Sequence, residues 1–255
     1  MILFRSLVFN IFFILWTALA VIIMSILLVF PRNIMASVVT IWALILAIGL
    51  RVIVGLSFEV RGLNNIVDGN AIYAAKHQSA WDTFIYFLIL KNPSYILKKE
   101  LLSIPLWGWC AKRYGAIPID RKGGGSALKE MILNVEDRLK KNMSIIIFPE
   151  GTRTLPKEKN SYHSGIAAIY KRLNVPIIPV AVNSGVFWGR RQFKKYPGTI
   201  ILQFLPIIEP GYSRNELMEQ LACNIEEASN KLVEEAILEY PELERFFASE
   251  ERLKP

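Results

Sequence analysis

Ala71-Ile72-Tyr73-Ala74-Ala75-Lys76-His77-Gln78-Ser79-Ala80-Trp81-Asp82 passes from an uninterrupted apolar run into a short polar turn. The first five residues have the pattern of a strand buried on both faces. Residues 81–90 are largely apolar and predict a helix. His77 then stands on a strand-to-helix turn, a place where a rigid scaffold often presents functional side chains. It is one of only two histidines in 255 residues. A neutral imidazole can take a proton from a hydroxyl when its other nitrogen is held by a carboxylate. Asp82, at i+5 across a tight turn, can fold back to do that. Ser79-x-x-Asp82 also reads as a helix N-cap pattern, with the acid at the positive end of the dipole. The two readings are compatible.

Working outward, the same alternation continues. Phe58-Glu59-Val60-Arg61-Gly62 reads as a short strand ending in a turn, and residues 95–102 as a strand running into a short helix. Pro105 and Trp107-Gly108-Trp109 start another helical piece, and Ile117-Pro118-Ile119-Asp120-Arg121 is a strand edge. Over residues 126–141, Leu128, Met131, Ile132, Val135 and Leu139 have helical spacing with charges opposite. Residues 144–148 form a buried strand broken by Pro149-Glu150-Gly151-Thr152-Arg153, and 155–164 a polar loop. Residues 165–173 read as a helix capped by Asn174. Strands follow at 177–182 and 199–205, then a long amphipathic helix over 215–238 and a charged tail. Strands alternating with helices predict an α/β domain over residues 52–255.

The amino-terminal segment differs in kind. Residues 7–30 are apolar except for Asn10, Thr17 and Ser25, long enough to cross about 30 Å of hydrocarbon. Pro31-Arg32-Asn33 interrupts, and a shorter apolar run over 34–50 ends at Arg51. The first run is too long for a signal peptide and lacks a small-residue cleavage site. Residues 1–51 are therefore expected to form a membrane-anchoring helical hairpin, either crossing twice or dipping into one leaflet. The formal charge of +8 suits polyanions or an anionic leaflet. Two cysteines, Cys110 and Cys223, suit a reducing compartment and fit neither a disulfide framework nor a zinc site. The segment Phe187-Trp188-Gly189-Arg190-Arg191-Gln192-Phe193-Lys194-Lys195-Tyr196 reads as a headgroup-layer element or as a solvated loop with packed rings. On the first reading, neutralising Arg190, Arg191, Lys194 and Lys195 together lowers binding to anionic liposomes.

Four short stretches sit at predicted strand ends: His77…Asp82, Gly115-Ala116-Ile117-Pro118-Ile119-Asp120-Arg121, Phe148-Pro149-Glu150-Gly151-Thr152-Arg153 and Val175-Pro176-Ile177-Ile178-Pro179-Val180. Singly, each has a structural explanation: a cap, a surface ion pair, a turn, a buried strand with edge prolines. In this order and spacing they resemble the blocks of the lysophosphatidic acid (1-acylglycerol-3-phosphate) acyltransferases, in the wider glycerolipid acyltransferase group. The resemblance covers about residues 58–205, and the FPEGTR block is verbatim. Two departures stand out. Lys76 replaces an Asn common in relatives, adding a charge beside the His that could tune substrate charge preference. His163, in Tyr162-His163-Ser164-Gly165, replaces a Lys.

The resemblance implies a mixed sheet flanked by helices and a direct transfer of a fatty acyl group from a thioester to the 2-hydroxyl of 1-acylglycerol-3-phosphate. It makes His77 the base and Asp82 its orienting partner. Arg153 is the first choice for gripping the acceptor phosphate, with Lys98 and then Arg121 behind it, because Arg forks suit phosphate. Glu150, Gly151 and Thr152 are expected to hold the loop or the glycerol, Gly151 by allowing close backbone approach. Val175, Pro176, Ile177 and Pro179 are expected to shape the acyl channel. Expected partners are lysophosphatidic acid, acyl-CoA or acyl carrier protein, and anionic membrane lipid. No nucleic acid, metal or bound organic cofactor is expected, and the domain is placed at the cytoplasmic face of the inner or plasma membrane.

Other classes fit less well. No H-E-x-x-H or Cys/His spacing supports a metal hydrolase. A nucleic-acid module is not recognisable and would not need the hairpin. There is no G-x-S-x-G elbow for an acyl-enzyme. The main rivals are an acyltransferase for glycerol-3-phosphate or another lysolipid, and a non-catalytic lipid-binding protein, which would not need the His77/Asp82 pair.

Overall fold

The computed structural model describes residues 1–244, so most of the expected charged tail lies outside the described residues. Two helices open the chain, α1 (Ile2–Ile26) and α2 (Arg32–Gly49). Then come β1 (Leu56–Arg61), β2 (Ile72–Ala75), α3 (Tyr86–Ile89), β3 (Pro93–Lys98), α4 (Trp107–Tyr114), β4 (Ile117–Ile119) and α5 (Gly124–Lys140). The remainder is β5 (Ser144–Ile147), α6 (Gly165–Leu173), β6 (Ile177–Val182), α7 (Ser184–Phe187), β7 (Gly198–Phe204) and α8 (Arg214–Glu239). The strands form one seven-stranded sheet in the order β1-β7-β6-β2-β5-β3-β4. All neighbours are parallel except β6 and β7, so the sheet is mixed and helix-flanked, as expected.

The central strands are buried on both faces, and their alternate side chains enter two cores. Ile72 and Ala74 of β2 pack with Met131 and Val135 of α5, Ile166 and Ile169 of α6, and Leu217, Leu221 and Ile225 of α8. Tyr73 and Ala75 face the other way, into a core that includes Phe9 of α1 and Ala43 and Leu46 of α2. The hairpin thus covers one face of the sheet and α5, α6 and α8 the other. α8 begins at Ser213, whose side chain accepts from Glu216 N while the Glu216 carboxylate accepts from Ser213 N, a capping box. α6 ends, as expected, at Asn174 in the left-handed conformation (φ 51°).

The hairpin does not stand clear of the domain. α2 continues through a π-helical turn, Leu50–Val54, that stops at left-handed Gly55 (φ 82°), so the expected break at residue 51 falls inside a helical turn. A second contact packs Ala20, Met24, Met35 and Val39 against Cys110 and Tyr114. Polar ties hold both ends. At the tip, Arg32 donates to Tyr114 O and Arg113 to Leu28 O and Phe30 O. At the base, Lys195 N donates to Ser6 Oγ and Asn10 Nδ2 to Phe193 O. The opposite face exposes Leu7, Ile14, Leu15, Ile22, Ile41, Leu44 and Ile48. By length and composition, Ile2–Val29 and Arg32–Val54 could each cross a membrane.

The helix expected over 81–90 is broken. A 3₁₀ turn, Trp81–Thr83, precedes the short α3. The expected cap fails because Ser79 Oγ accepts from Trp81 N, two residues on, while the Asp82 carboxylate turns back onto the preceding loop. Where residues 95–102 are expected to run from a strand into a short helix, residues 99–103 form a 3₁₀ segment.

Candidate active site

Because β2 runs parallel to β5 and β6, and β3 and β4 extend the same parallel array, five strands release their chains at one edge. That edge is where ligands bind in open α/β sheets. It receives His77 after β2, Lys98 at the end of β3, Arg121 after β4, Gly151-Thr152-Arg153 after β5 and Ser184 after β6. Topology, rather than proximity in sequence, gathers the motifs.

His77 Nδ1 lies 3.0 Å from Asp82 Oδ2. The same oxygen accepts from Gln78 N at 2.7 Å and Ser79 N at 2.8 Å, and Oδ1 accepts from Ser184 Oγ at 2.6 Å. Four donors fix the carboxylate, and hydrogen bonds to an ionised acceptor are the stronger kind. With Nδ1 committed to Asp82, Nε2 is the nitrogen left to receive a proton. The Phe148 ring stacks on the imidazole at 4.0 Å between centroids and 16° between planes, which restrains the plane of the imidazole. Gln78 Oε1 accepts from Gly185 N, tying the turn to α7.

A cavity of about 870 Å³ opens beside His77. Lys98, Arg121, Gly151, Thr152 and Arg153 line its polar side, as do Arg190, Arg191 and His163. Its apolar side includes Thr17, Val21 and Met24 of α1, and Val39 and Trp42 of α2. Burial lowers the Arg153 pKa and nearby Arg190 adds to this, while Asp82 opposes it. Among the described residues no carboxylate makes ion-pair contact with that guanidinium, so Asp82 acts on it only across a distance. Arg121 donates to Gly151 O, steadying a turn whose Gly151 sits at φ 68°. A Cβ there would come within 2.7 Å of the His163 ring.

Several expectations are corrected. Of the two roles expected of Glu150, only the hold on the loop has partners: it is buried, does not line the cavity, and its oxygens accept from Lys76, Thr154 and His77 N. None of Val175, Pro176, Ile177 and Pro179 lines the cavity: the first three lie at the start of β6, at the opposite edge of the sheet, and Pro179 pairs with Ala74 inside it. Val175 and Ile177 pack in the core beneath α5 and α6. The apolar lining comes instead from the hairpin together with domain residues such as Phe87, Leu101, Trp107 and Ile166. Lys76 does not meet substrate: it is buried and ion-paired to Glu150 and Glu226. The aromatic-basic segment is divided. Phe187, Trp188 and Tyr196 are buried, and Arg190 and Arg191 line the cavity. Lys195 is buried against Phe9 and Trp188, its pKa lowered by burial to about 8. Only Lys194 of the four cations is an exposed residue away from the cavity, so joint neutralisation would report on more than membrane contact.

Ser184, Gln78, Phe148 and Glu226 were not singled out from sequence. Ser184 and Glu226 carry no motif and reach the site only through the sheet order. Phe148 lay in plain view inside FPEGTR, but its stacking depends on β5 lying beside β2.

A family model described as Acyltransferase matches residues 57–183. The 1-acyl-sn-glycerol-3-phosphate acyltransferase of Pseudomonas aeruginosa is 38% identical over 150 residues, 59% of this chain and 58% of that protein. Its namesake from Salmonella typhimurium is 32% identical over 61% of this chain and 64% of the relative, so the match to both falls short of two thirds of their length. The Escherichia coli protein of the same name is 31% identical over 69% of this chain and 72% of its own length. The crystal structure of a 1-acyl-sn-glycerophosphate (LPA) acyltransferase from Thermotoga maritima superposes with a TM-score of 0.70 at 24% identity, covering 92% of this chain and 98% of that one; it shares the fold. At 31% identity over 72% of the Escherichia coli protein, the chain belongs to the 1-acyl-sn-glycerol-3-phosphate acyltransferase family.

Proposed function

We propose that the chain moves a fatty acyl group from a thioester, on coenzyme A or acyl carrier protein, to the 2-hydroxyl of 1-acylglycerol-3-phosphate, giving phosphatidic acid. One observation carries this reading: the His77–Asp82 pair opens into a cavity with guanidinium groups on one wall and hairpin side chains on another. That is the polarity of a phosphorylated amphipath. His77 Nε2 takes the hydroxyl proton as the oxygen attacks the thioester carbonyl. The tetrahedral intermediate collapses, the C–S bond breaks, and the imidazolium returns the proton to the departing thiolate. Asp82 stabilises the imidazolium between these steps. Arg153 is assigned to the acceptor phosphate, with Lys98 and Arg121 beside it. The substrates supply all reacting atoms, so the scheme requires no resident metal or cofactor.

The protein is membrane-associated through its two apolar helices. We assign the hairpin to one leaflet, since it is fastened to the domain at tip and base and a full crossing would carry the domain into hydrocarbon. A cytoplasmic orientation suits water-soluble thioester donors and the unpaired cysteines. Ile14→Glu with Leu15→Glu, on the exposed face, is expected to release the protein from liposomes in flotation assays. Arg190→Ala with Arg191→Ala is expected to leave flotation intact and lower turnover.

The direct test offers oleoyl-CoA and oleoyl-acyl carrier protein as donors. Lysophosphatidic acid, glycerol-3-phosphate and a zwitterionic lysolipid serve as acceptors, with His77→Ala run in parallel. Phosphatidic acid formed only by the unaltered chain is the expected result. A different preferred acceptor keeps the chemistry and changes the substrate. Binding of lysophosphatidic acid without transfer from any donor replaces catalysis by lipid binding.

A further inference from the structure

Behind the His77 turn lies a charged cluster that the acyl-transfer scheme does not use. Lys76 is 1% exposed. Its ammonium donates to Glu150 Oε1 at 2.6 Å, to Glu226 Oε1 and Oε2 at 2.7 and 2.8 Å, and to Glu158 O at 3.1 Å. Glu226 comes from the middle of α8 and also accepts from Tyr162 Oη at 2.8 Å. Glu150 closes the network on the turn: Oε2 accepts from His77 N at 3.0 Å, and Oε1 from Thr154 Oγ1 at 3.0 Å. Thr154 N in turn donates to His77 O at 2.8 Å. Both backbone polar groups of His77 are thereby held by one buried network joining the end of β2, the loop that bears Arg153, and α8.

Three buried ions are a poor source of stability, because each must give up its hydration on folding. Their arrangement suggests another use. Two carboxylates around one ammonium leave one surplus negative charge beside the residue that must become a cation. Burial raises the Glu150 carboxyl above the ordinary carboxylate value, and the Lys76 ammonium at 2.6 Å offsets only part of that rise.

We propose that the Lys76–Glu150–Glu226 cluster acts on the reaction through His77, with Lys76 as a positioning residue that clamps the turn to α8 and the surplus charge favouring the imidazolium formed during transfer. The inference rests on His77 being the base of the proposed acyl transfer. Other groups face His77 as well. Asp82 approaches from its own turn, Arg153 from the loop after β5, and Arg121, Arg190 and His163 from the cavity walls. The hydroxyls of Tyr86 and Tyr95 lie near Asp82, and burial keeps both in the neutral form. None of these changes when Glu226 is altered, so a Glu226 variant isolates the cluster.

Glu226→Gln removes the surplus charge and leaves an amide that Lys76 and Tyr162 can still reach. It is expected to lower kcat by about tenfold, leave both KM values within about twofold, and move the acid limb of kcat down by roughly 0.5–1 pH unit. Tyr162→Phe removes a hydrogen bond from the same carboxylate without changing charge, and should leave the limb in place. In detergent-solubilised full chain carrying His163→Asn, the remaining ¹⁵N-labelled imidazole should show the same downward movement on Glu226→Gln in NMR titrations. If Glu226→Gln does not fold, Glu150→Gln removes the same charge and takes its place. Equal losses of kcat in the Glu226 and Tyr162 variants, with an unmoved limb and an unmoved imidazole titration, would overturn the proposal and leave a structural clamp. The NMR reading does not depend on turnover. If the unaltered chain transfers no acyl group from any donor while Glu226→Gln still moves the imidazole titration, the acyl-transfer reading fails and the electrostatic effect stands.

Discussion

Asp82→Asn lowers kcat by about 10³- to 10⁴-fold while leaving both KM values within a few-fold, by the precedent of carboxylates that orient a catalytic histidine. The geometry explains the size. Three donors converge on Oδ2, and Ser184 Oγ points at Oδ1. An asparagine has one oxygen to offer. Placed at Oδ2, the oxygen keeps the ring and the turn but gives no charge to the imidazolium. Placed at Oδ1, it sets an NH₂ against the Gln78 and Ser79 amides and against Nδ1–H, which forces the wrong tautomer. Steady-state kinetics with lysophosphatidic acid and oleoyl-CoA reads the loss, and circular dichroism checks the fold. Activity within about tenfold of the unaltered chain removes Asp82 from the mechanism.

Arg153→Ala raises the KM for the phosphorylated acceptor by about 10- to 100-fold, the scale of one charge-assisted interaction of 1.5–3 kcal/mol. The donor KM moves far less. Arg153 is the half-buried member of the basic set, whereas Lys98 and Arg121 are exposed and more screened by solvent. Its removal also has a direction for stability. Burial disfavours its charge, and no carboxylate among the described residues is in ion-pair contact with it. The alanine variant should therefore melt no earlier than the unaltered chain, apart from lost packing of the side-chain stem. A KM effect confined to the donor would assign Arg153 to the thioester partner; a large fall in melting temperature would make it a structural residue.

The parts of this fold that sequence announces are those with local causes. β2, β5 and β6 are short apolar runs between turns, and α5 and α8 are amphipathic, so their periodicities name them. The motifs at strand ends were readable for the same reason, since each strand end is marked by a proline, a glycine or a charge. What escaped depends on contacts distant in sequence. Lys76 reads as a substrate-facing cation until Glu226, 150 positions away, is seen to meet it. Lys195 reads as a surface charge until Phe9 and Trp188 close over it. The helix over residues 81–90 was expected from apolar composition, but Asp82 satisfies the backbone of its own turn and the chain leaves helical geometry there. From their motif alone, Val175, Pro176, Ile177 and Pro179 read as channel residues. Parallel strands put the start of β6 at the far edge, and nothing in local composition distinguishes one end of a buried strand from the other.

The hairpin side chains that wall the cavity bear on how a lipid would reach His77. Drawing an acyl chain into water costs about 0.8 kcal/mol per methylene, so a dozen methylenes cost about 10 kcal/mol. An enzyme that extracted its acceptor would carry that penalty in every turnover. Here Thr17, Val21, Met24, Val39 and Trp42 belong both to the anchor and to the cavity lining. On the acyl-transfer reading, a lysolipid needs only to slide its tail between two hydrocarbon surroundings while its phosphate rises to Arg153. The two-tailed product, still harder to extract, departs sideways into the leaflet that supplied its precursor.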